Sequence, residues 1–112
     1  MTRYLISFDD GAMDVAEEDL PDVTAAARTV EREATEAGVW VFSAGVCSPV
    51  GMSVVGVDGT VSDDPPTDKA YVGGFAVVET ATRDEALSWA ARIAAACRCA
   101  QEVRELVPDP GA

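Results

Sequence analysis

The first residues of the chain alternate between apolar and polar side chains with the period of two that is typical of a half-buried strand. Tyr4, Ile6 and Phe8 fall on one face of a predicted strand over Arg3–Phe8, and Ser7 falls on the other face. A strongly acidic stretch follows, so we expect the strand to end in a solvated loop.

The next pattern has the period of a helix. Asp19 is a suitable N-cap, Pro21 lies in the first turn, and Gly38 can adopt the left-handed conformation that often ends a helix. Between these signals, apolar residues recur at spacings of three and four and form one stripe, which predicts a helix with one buried face. The stripe consists of Leu20, Val23, Ala27, Val30, Ala34 and Ala37.

Two later segments, Val39–Val46 and Val72–Glu79, are apolar at both parities and therefore predict strands that are covered on both faces. In the first segment, strict alternation places Trp40 and Phe42 on the same face. Between the two segments lies Asp58-Gly59, a dipeptide that strongly favours a tight turn, so we expect an inserted hairpin there.

The last third of the chain predicts one more helix and one more strand. Thr82 and Glu85 have the spacing of a capping box, which opens the helix. Its inner face comprises Ala86, Trp89, Ala90, Ile93 and Cys97. No glycine marks its end, and a final strand is predicted over Ala100–Val107.

The order strand, helix, strand, hairpin, strand, helix, strand predicts an α+β fold, a ferredoxin-like sandwich with an inserted hairpin. We expect one domain over residues 1–107 and a short tail over residues 108–112. Two helices cover only one face of such a sheet, while its central strands are apolar on both faces. The uncovered face needs a partner, and a second copy packed sheet to sheet is the simplest one. The pattern thus predicts a homodimer through the sheet face.

Composition narrows the functional classes. The 112 residues include 48% hydrophobic and 25% charged residues, which is ordinary for one globular domain. The formal net charge of −12 disfavours binding to nucleic acid or to an anionic membrane surface. No apolar run approaches the roughly 20 residues of a membrane helix, and the early acids do not fit a signal peptide. We therefore expect a cytoplasmic protein.

The cysteines and the absence of histidine argue against metal chemistry. The chain has three cysteines, Cys47, Cys97 and Cys99, and an odd number does not suggest a disulfide framework. It has no histidine that could complete a four-ligand zinc site with them. We expect no metal, no cofactor and no bond between Cys97 and Cys99.

The candidate site is the loop that leads into the strand Val72–Glu79. Pro65 and its neighbour Pro66 exclude a helix there, so the loop can present polar groups at the edge of the sheet. Asp63, Pro65, Lys69 and Tyr71 are the candidate ligand-binding residues, and Asp63 or Asp64 is the candidate catalytic base. The structural alternative is that Asp63 holds a turn by accepting N–H bonds from the residues that follow it.

Several segments carry a resemblance to a known family. They are Val57-Asp58-Gly59, Asp63-Asp64-Pro65-Pro66, Lys69, Gly73-Gly74-Phe75, Asp84-Glu85-Ala86-Leu87-Ser88-Trp89-Ala90 and Glu102-Val103-Arg104. With these segments the chain resembles the YCII-related proteins, in the branch named for an Asp-Gly-Pro-Phe signature. In that signature Asp63 and Pro65 are kept, whereas Asp64 and Pro66 replace the glycine and the phenylalanine.

The resemblance implies a dimeric α+β barrel with a cavity near the interface and a link to extracytoplasmic-function sigma factors. The His-Asp pair suspected of acid–base catalysis in some relatives has no counterpart, because this chain lacks histidine. Two functions therefore stay open. The first is a non-catalytic dimeric module that binds a small molecule or a protein partner. The second is a small cofactor-free lyase or isomerase that uses Asp63 or Asp64 with Lys69 or Tyr71 as a donor.

Overall fold

The computed structural model describes residues 1–108, so the predicted tail lies outside the described residues except for Pro108. Within residues 1–108, six strands and two helices follow one another. They are β1 (Thr2–Asp9), α1 (Leu20–Glu36), β2 (Trp40–Gly45), β3 (Val54–Val55), β4 (Val61–Ser62), β5 (Val72–Thr80), α2 (Arg83–Cys97) and β6 (Glu102–Glu105). A short 3-10 turn over Glu17–Asp19 leads into α1.

Four strands form one antiparallel sheet in the order β2-β5-β1-β6, and β3 and β4 form a separate hairpin. Placing β5 between β1 and β2 is the ferredoxin-like arrangement, with the hairpin inserted between β2 and β5. The predicted α+β fold is therefore confirmed. Neither helix is both long and apolar enough to cross a membrane within the described residues.

The core lies between the two helices and one face of the sheet. Ile6 of β1 and Val78 of β5 are completely buried there, and α1 adds Val30 while α2 adds Ala90 and Ile93. The predicted inner face of β1 is thus confirmed for Tyr4 and Ile6, both of which are buried. The predicted apolar stripe of α1 is not buried at its two ends, because Leu20 and Ala37 are exposed.

The predicted shared face of Trp40 and Phe42 is wrong. The register of β2 shifts between these residues, so that Trp40 lies opposite Val78 while Phe42 lies opposite Val77. Trp40 therefore packs on the helix side and Phe42 points to the other face of the sheet. The irregularity at Val41 resembles a β-bulge, which adds one residue to a strand and reverses the alternation beyond it.

The double glycine at the start of β5 allows two close approaches of the chain. A Cβ at Gly73 would come within 2.9 Å of the Asp10 backbone, and a Cβ at Gly74 would lie 2.6 Å from the ring of Phe8. The loop before β5 is tied to the end of β1 by a bond from the Asp10 amide to the Tyr71 carbonyl, 2.7 Å long. These contacts fix the end of the sheet at which the cleft described below opens.

The helix ends show both predicted and unpredicted partners. The capping box of α2 is confirmed, because the Glu85 amide donates to the Thr82 hydroxyl at 3.2 Å and the Ala81 amide donates to the Glu85 carboxylate. Asp19 makes no side-chain cap. Its carboxylate instead pairs with Arg98 at 3.2 Å, and Arg98 ends α2 in the left-handed conformation with φ of 58°.

Candidate functional site

A cleft of about 240 Å³ opens between the helix side of the sheet and the last turns of α2. The ends of β1 and β2 and the start of β5 form its floor, and Met13 of the loop after β1 forms part of its wall. The lining residues are Ile6, Phe8, Met13, Trp40, Ser43, Ala44, Gly45, Gly74, Phe75, Ala76, Ile93, Cys97 and Gln101. The cleft is therefore built from the same elements that build the core.

The chemistry of the cleft is apolar with a few polar groups at its edge. Aromatic rings come from Phe8 and Trp40, and the polar groups are the Ser43 hydroxyl, the Cys97 thiol and the amide of Gln101. None of the lining residues is an Asp, Glu, Lys or Arg. Such a surface suits an uncharged ligand that buries an apolar body and makes one or two hydrogen bonds.

The thiols beside the cleft are free and favour their neutral form. Burial raises the pKa of the Cys97 thiol, and the neighbouring Cys99 acts in the same direction. The pKa of Cys99 is raised by burial too, against a hydrogen bond from Gln101 that lowers it. The Gln101 amide nitrogen lies 3.4 Å from Cys99 Sγ and 3.3 Å from the Cys99 carbonyl oxygen. Cys97 therefore presents a thiol, not a thiolate, to the cleft at neutral pH.

Asp63 lies at the base of the inserted hairpin and not in the cleft. It is exposed, and its carboxylate accepts a 2.6 Å hydrogen bond from the Ser53 hydroxyl across the hairpin. The predicted bonds from the backbone amides that follow Asp63 are wrong, because its partner is a side chain on the other side of the hairpin. Asp64 is exposed as well, and its amide points to the Ser62 hydroxyl at 3.4 Å.

Lys69 and Tyr71 are brought together, apart from the two acids. The Lys69 Nζ lies 5.0 Å from the centre of the Tyr71 ring, a cation–π distance. The Tyr71 hydroxyl donates to the Pro66 carbonyl at 2.7 Å, and Pro65 is half-buried. Within the described residues, no hydrogen bond or ion pair joins either acid to Lys69. The loop thus holds its own conformation, and none of its candidate residues lines the cleft.

Several cleft residues carry no sequence signal of their own. Ser43 is an ordinary polar residue within a predicted strand and Gln101 one near the start of another, while Trp40 and Cys97 are consistent with packing. Met13 offers a weak signal, because it is the largest apolar side chain in a loop rich in acidic residues. Over residues 1–108, the acidic and cysteine side chains form no group of three that could hold a metal ion.

Comparison with known proteins gives a family and a fold. The family model described as YCII-related domain matches residues 2–108. Among solved structures, the chain is similar to the 5-chloro-2-hydroxyhydroquinone dehydrochlorinase of Burkholderia phenoliruptrix AC1100 in complex with 2,5-dihydroxybenzoquinone. The TM-score is 0.50 at 13% identity, over 99% of this chain and 98% of that chain, so the likeness concerns the fold alone. No curated protein matches the sequence.

Proposed function

The chain belongs to the YCII-related domain family, and from the geometry of its site we propose a non-catalytic homodimeric module. It binds one small, uncharged, largely apolar molecule in the cleft between the sheet and α2. The observation that carries this proposal is the lining of the cleft, which combines the aromatic rings of Phe8 and Trp40 with no charged side chain. Acid–base catalysis needs a titratable group within reach of the substrate, and Cys97, the only titratable side chain in the lining, is held as a neutral thiol.

The size of the cleft limits the ligand. A dry apolar cavity of about 150 Å³ takes up a benzene molecule, so the 240 Å³ found here suits a single ring with one or two substituents. The Ser43 hydroxyl and the Gln101 amide are the groups that can orient a hydroxyl or carbonyl substituent of such a ligand.

The fluorescence of Trp40 provides a direct test. In a Trp89→Phe background Trp40 is the only tryptophan, since the chain contains two. We expect a member of a library of uncharged one-ring compounds to change its emission. Ser43→Leu, which fills the cleft and removes a hydroxyl, should weaken that binding at least tenfold. Ser88→Leu on the exposed side of α2 is the matched control and should bind as the parent does. Equal affinity of the two variants would contradict the proposed site.

The homodimer is supported by the sheet face that the helices leave uncovered. Phe42 is 57% exposed there, and its ring centroid lies 5.9 Å from that of Phe75. Leu5 and Val77 face each other in the register next to them, and the Arg3–Glu79 ion pair, 2.9 Å long, lies at the border of the patch. An apolar centre with a charged rim is the usual anatomy of a protein interface.

Light scattering at micromolar concentration tests the dimer. We expect a mass of twice the 11.7 kDa of one chain. Phe42→Ser, which places a polar side chain in the centre of the patch, should shift the mass toward one chain. The proposal fails if the wild-type protein has the mass of a single chain.

A second function, cofactor-free lyase or isomerase chemistry, is favoured by the solved structure that shares the fold, because that protein is a dehydrochlorinase. In this alternative Asp63 or Asp64 is the base and Lys69 or Tyr71 supplies the donor. Ser53→Ala and Asp63→Ala break the same hydrogen bond, so both should cost about 1 kcal/mol of stability. If Asp63 is catalytic, only Asp63→Ala abolishes turnover of a substrate. If the two variants have the same turnover, the role of Asp63 is structural.

A further inference from the structure

The segment 46–71, here called the arm, stands away from the rest of the fold. It contains the hairpin β3–β4, whose strands pair with each other and contact no other strand or helix of the described chain. Its base is fixed by the bond from the Val46 amide to the Gly73 carbonyl, 2.9 Å long. The radius of gyration is 15.9 Å, whereas a compact chain of this length has about 13 Å. The arm therefore extends the molecule.

The arm has a defined conformation of its own. At its tip the Gly56 amide donates to the Thr60 carbonyl at 2.8 Å, and the Asp58 carboxylate accepts from the Thr60 amide at 2.9 Å. Toward its base the Ser53–Asp63 bond joins the two sides. The arm is thus a shaped surface, and Asp63 is one of the residues that shape it.

Both faces of the hairpin in the arm carry exposed valines, and the face of Val55 and Val61 is the more apolar one. Val55 and Val61 are direct partners in the register and share a face, on which they are 64% and 59% exposed. Val54 belongs to the opposite face, is paired with Ser62 and is 39% exposed. Because an isolated two-stranded hairpin is marginally stable in water, a valine pair of this kind calls for a surface to pack against.

The area of the uncovered sheet face indicates that the hairpin packs against a second copy of the chain. Four strands about 4.8 Å apart, each pairing over about six residues of roughly 3.3 Å, present a face of about 400 Å². A stable interface buries about 800 Å² on each partner, so the uncovered sheet face supplies about half of what a dimer needs. The arm adds further exposed valines, which are Val46, Val50, Val55, Val57 and Val61.

On this basis we propose that the arm of each protomer packs on the partner copy, with Val55 and Val61 as its contact residues. The inference rests on the proposed homodimer and adds a second contact surface to it. By two-fold symmetry each dimer contains two such contacts. The loop that resembles the family signature then serves assembly, because it forms the base of a dimerisation arm.

Sedimentation equilibrium on matched variants tests the arm. The double variant Val55→Thr/Val61→Thr keeps β-branched side chains and strand preference but places four hydroxyl groups in the two contacts of a dimer. We expect its dimer dissociation constant to rise at least tenfold. Val54→Thr makes the same change on the opposite face of the same hairpin and should shift the constant less than twofold. Thermal unfolding of each variant verifies that the body of the protein is folded.

The two possible failures can be told apart. A wild-type dimer whose dissociation constant is the same within twofold in the double variant overturns the arm contact and leaves the sheet dimer standing. A wild-type monomer overturns the proposed homodimer and the arm contact together. Equal weakening by Val54→Thr and by the double variant also overturns the assignment of Val55 and Val61 as the contact face.

Discussion

At the scale of single residues, the position of Cys97 has a consequence that can be measured. Its thiol borders the cleft from the last turn of α2, and burial raises its pKa above the ordinary value of 9.0. As the pH rises past 9.0, the unfolded chain loses the thiol proton first, because its pKa is the lower one. The free energy of unfolding therefore falls with rising pH above this point and is unaffected by this thiol below it.

We expect urea unfolding at pH 8, 9 and 10 to show this loss of stability in the wild-type protein. Cys97→Ala removes the group and should reduce the decline between pH 9 and pH 10. Cys47→Ala is the control, because Cys47 is exposed, and it should decline as the wild type does. An unchanged decline in Cys97→Ala would show that other groups cause it.

Asp63 shows how far single residues can be interpreted from the sequence. The turn preference of aspartate predicted that Asp63 accepts hydrogen bonds from the amides that follow it, and this local partner was wrong. The true partner could not be predicted from local preferences, because Ser53 is ten residues earlier in the chain and meets Asp63 only once the hairpin has formed. The register that joins them follows from the Asp58-Gly59 turn, so this turn was the usable signal.

At the scale of elements, two glycines that pair between β2 and β5 differ in whether a side chain fits in their place. Gly74→Ala would place a Cβ 2.6 Å from the Phe8 ring, whereas no atom comes within 4 Å of a Cβ at Gly45, its partner in the register. We expect Gly74→Ala to cost about 1–3 kcal/mol, as overpacking does, and to weaken ligand binding because Phe8 lines the cleft. Gly45→Ala should stay within about 0.5 kcal/mol.

Urea unfolding of the two variants provides the comparison. If Gly74→Ala and Gly45→Ala have the same stability, the Phe8 ring has moved aside without cost and the close contact is unimportant.

Element types were easier to predict than their detailed geometry. The helices follow from periodicity and caps, which are local, and so their existence was visible in the sequence. The register shift at Val41 was not, because alternation alone assigns Trp40 and Phe42 to one face, and only pairing with β5 decides the bulge. Arg98 ends α2 in place of a glycine, and its bond to Asp19, far away in the sequence, was likewise hidden.

At the scale of the whole molecule, net charge acts on the proposed dimer. Each chain carries a formal charge of −12, so two copies repel each other, and the screening length is about 10 Å at 0.1 M salt. We expect the dimer to tighten as sodium chloride rises from about 0.02 M to about 0.5 M, measured by sedimentation. Loosening with salt would indicate that ion pairs across the interface outweigh the repulsion.

The architecture as a whole was predictable, but the cleft was not. Strand and helix order restricts the topology to a small number of folds, which is why the ferredoxin-like arrangement could be predicted. The cleft depends on where Met13 and the end of α2 come to lie over the sheet, and these are packing outcomes between distant parts of the chain.

Because the strand partners of β1 come late in the chain, β1 stays unpaired for some time during synthesis. Among the described residues, Thr2–Asp9 pairs only with residues 72–80 and 102–105, so Ile6 has no strand partner until β5 has left the ribosome. Residues 10–71 separate the end of β1 from the start of β5, and at about 5–20 residues added per second their synthesis alone takes roughly 3–12 s. During that interval the nascent chain displays Ile6, Trp40 and Phe42 without their sheet partners. Early chaperone contact is therefore expected to fall on β1 and β2.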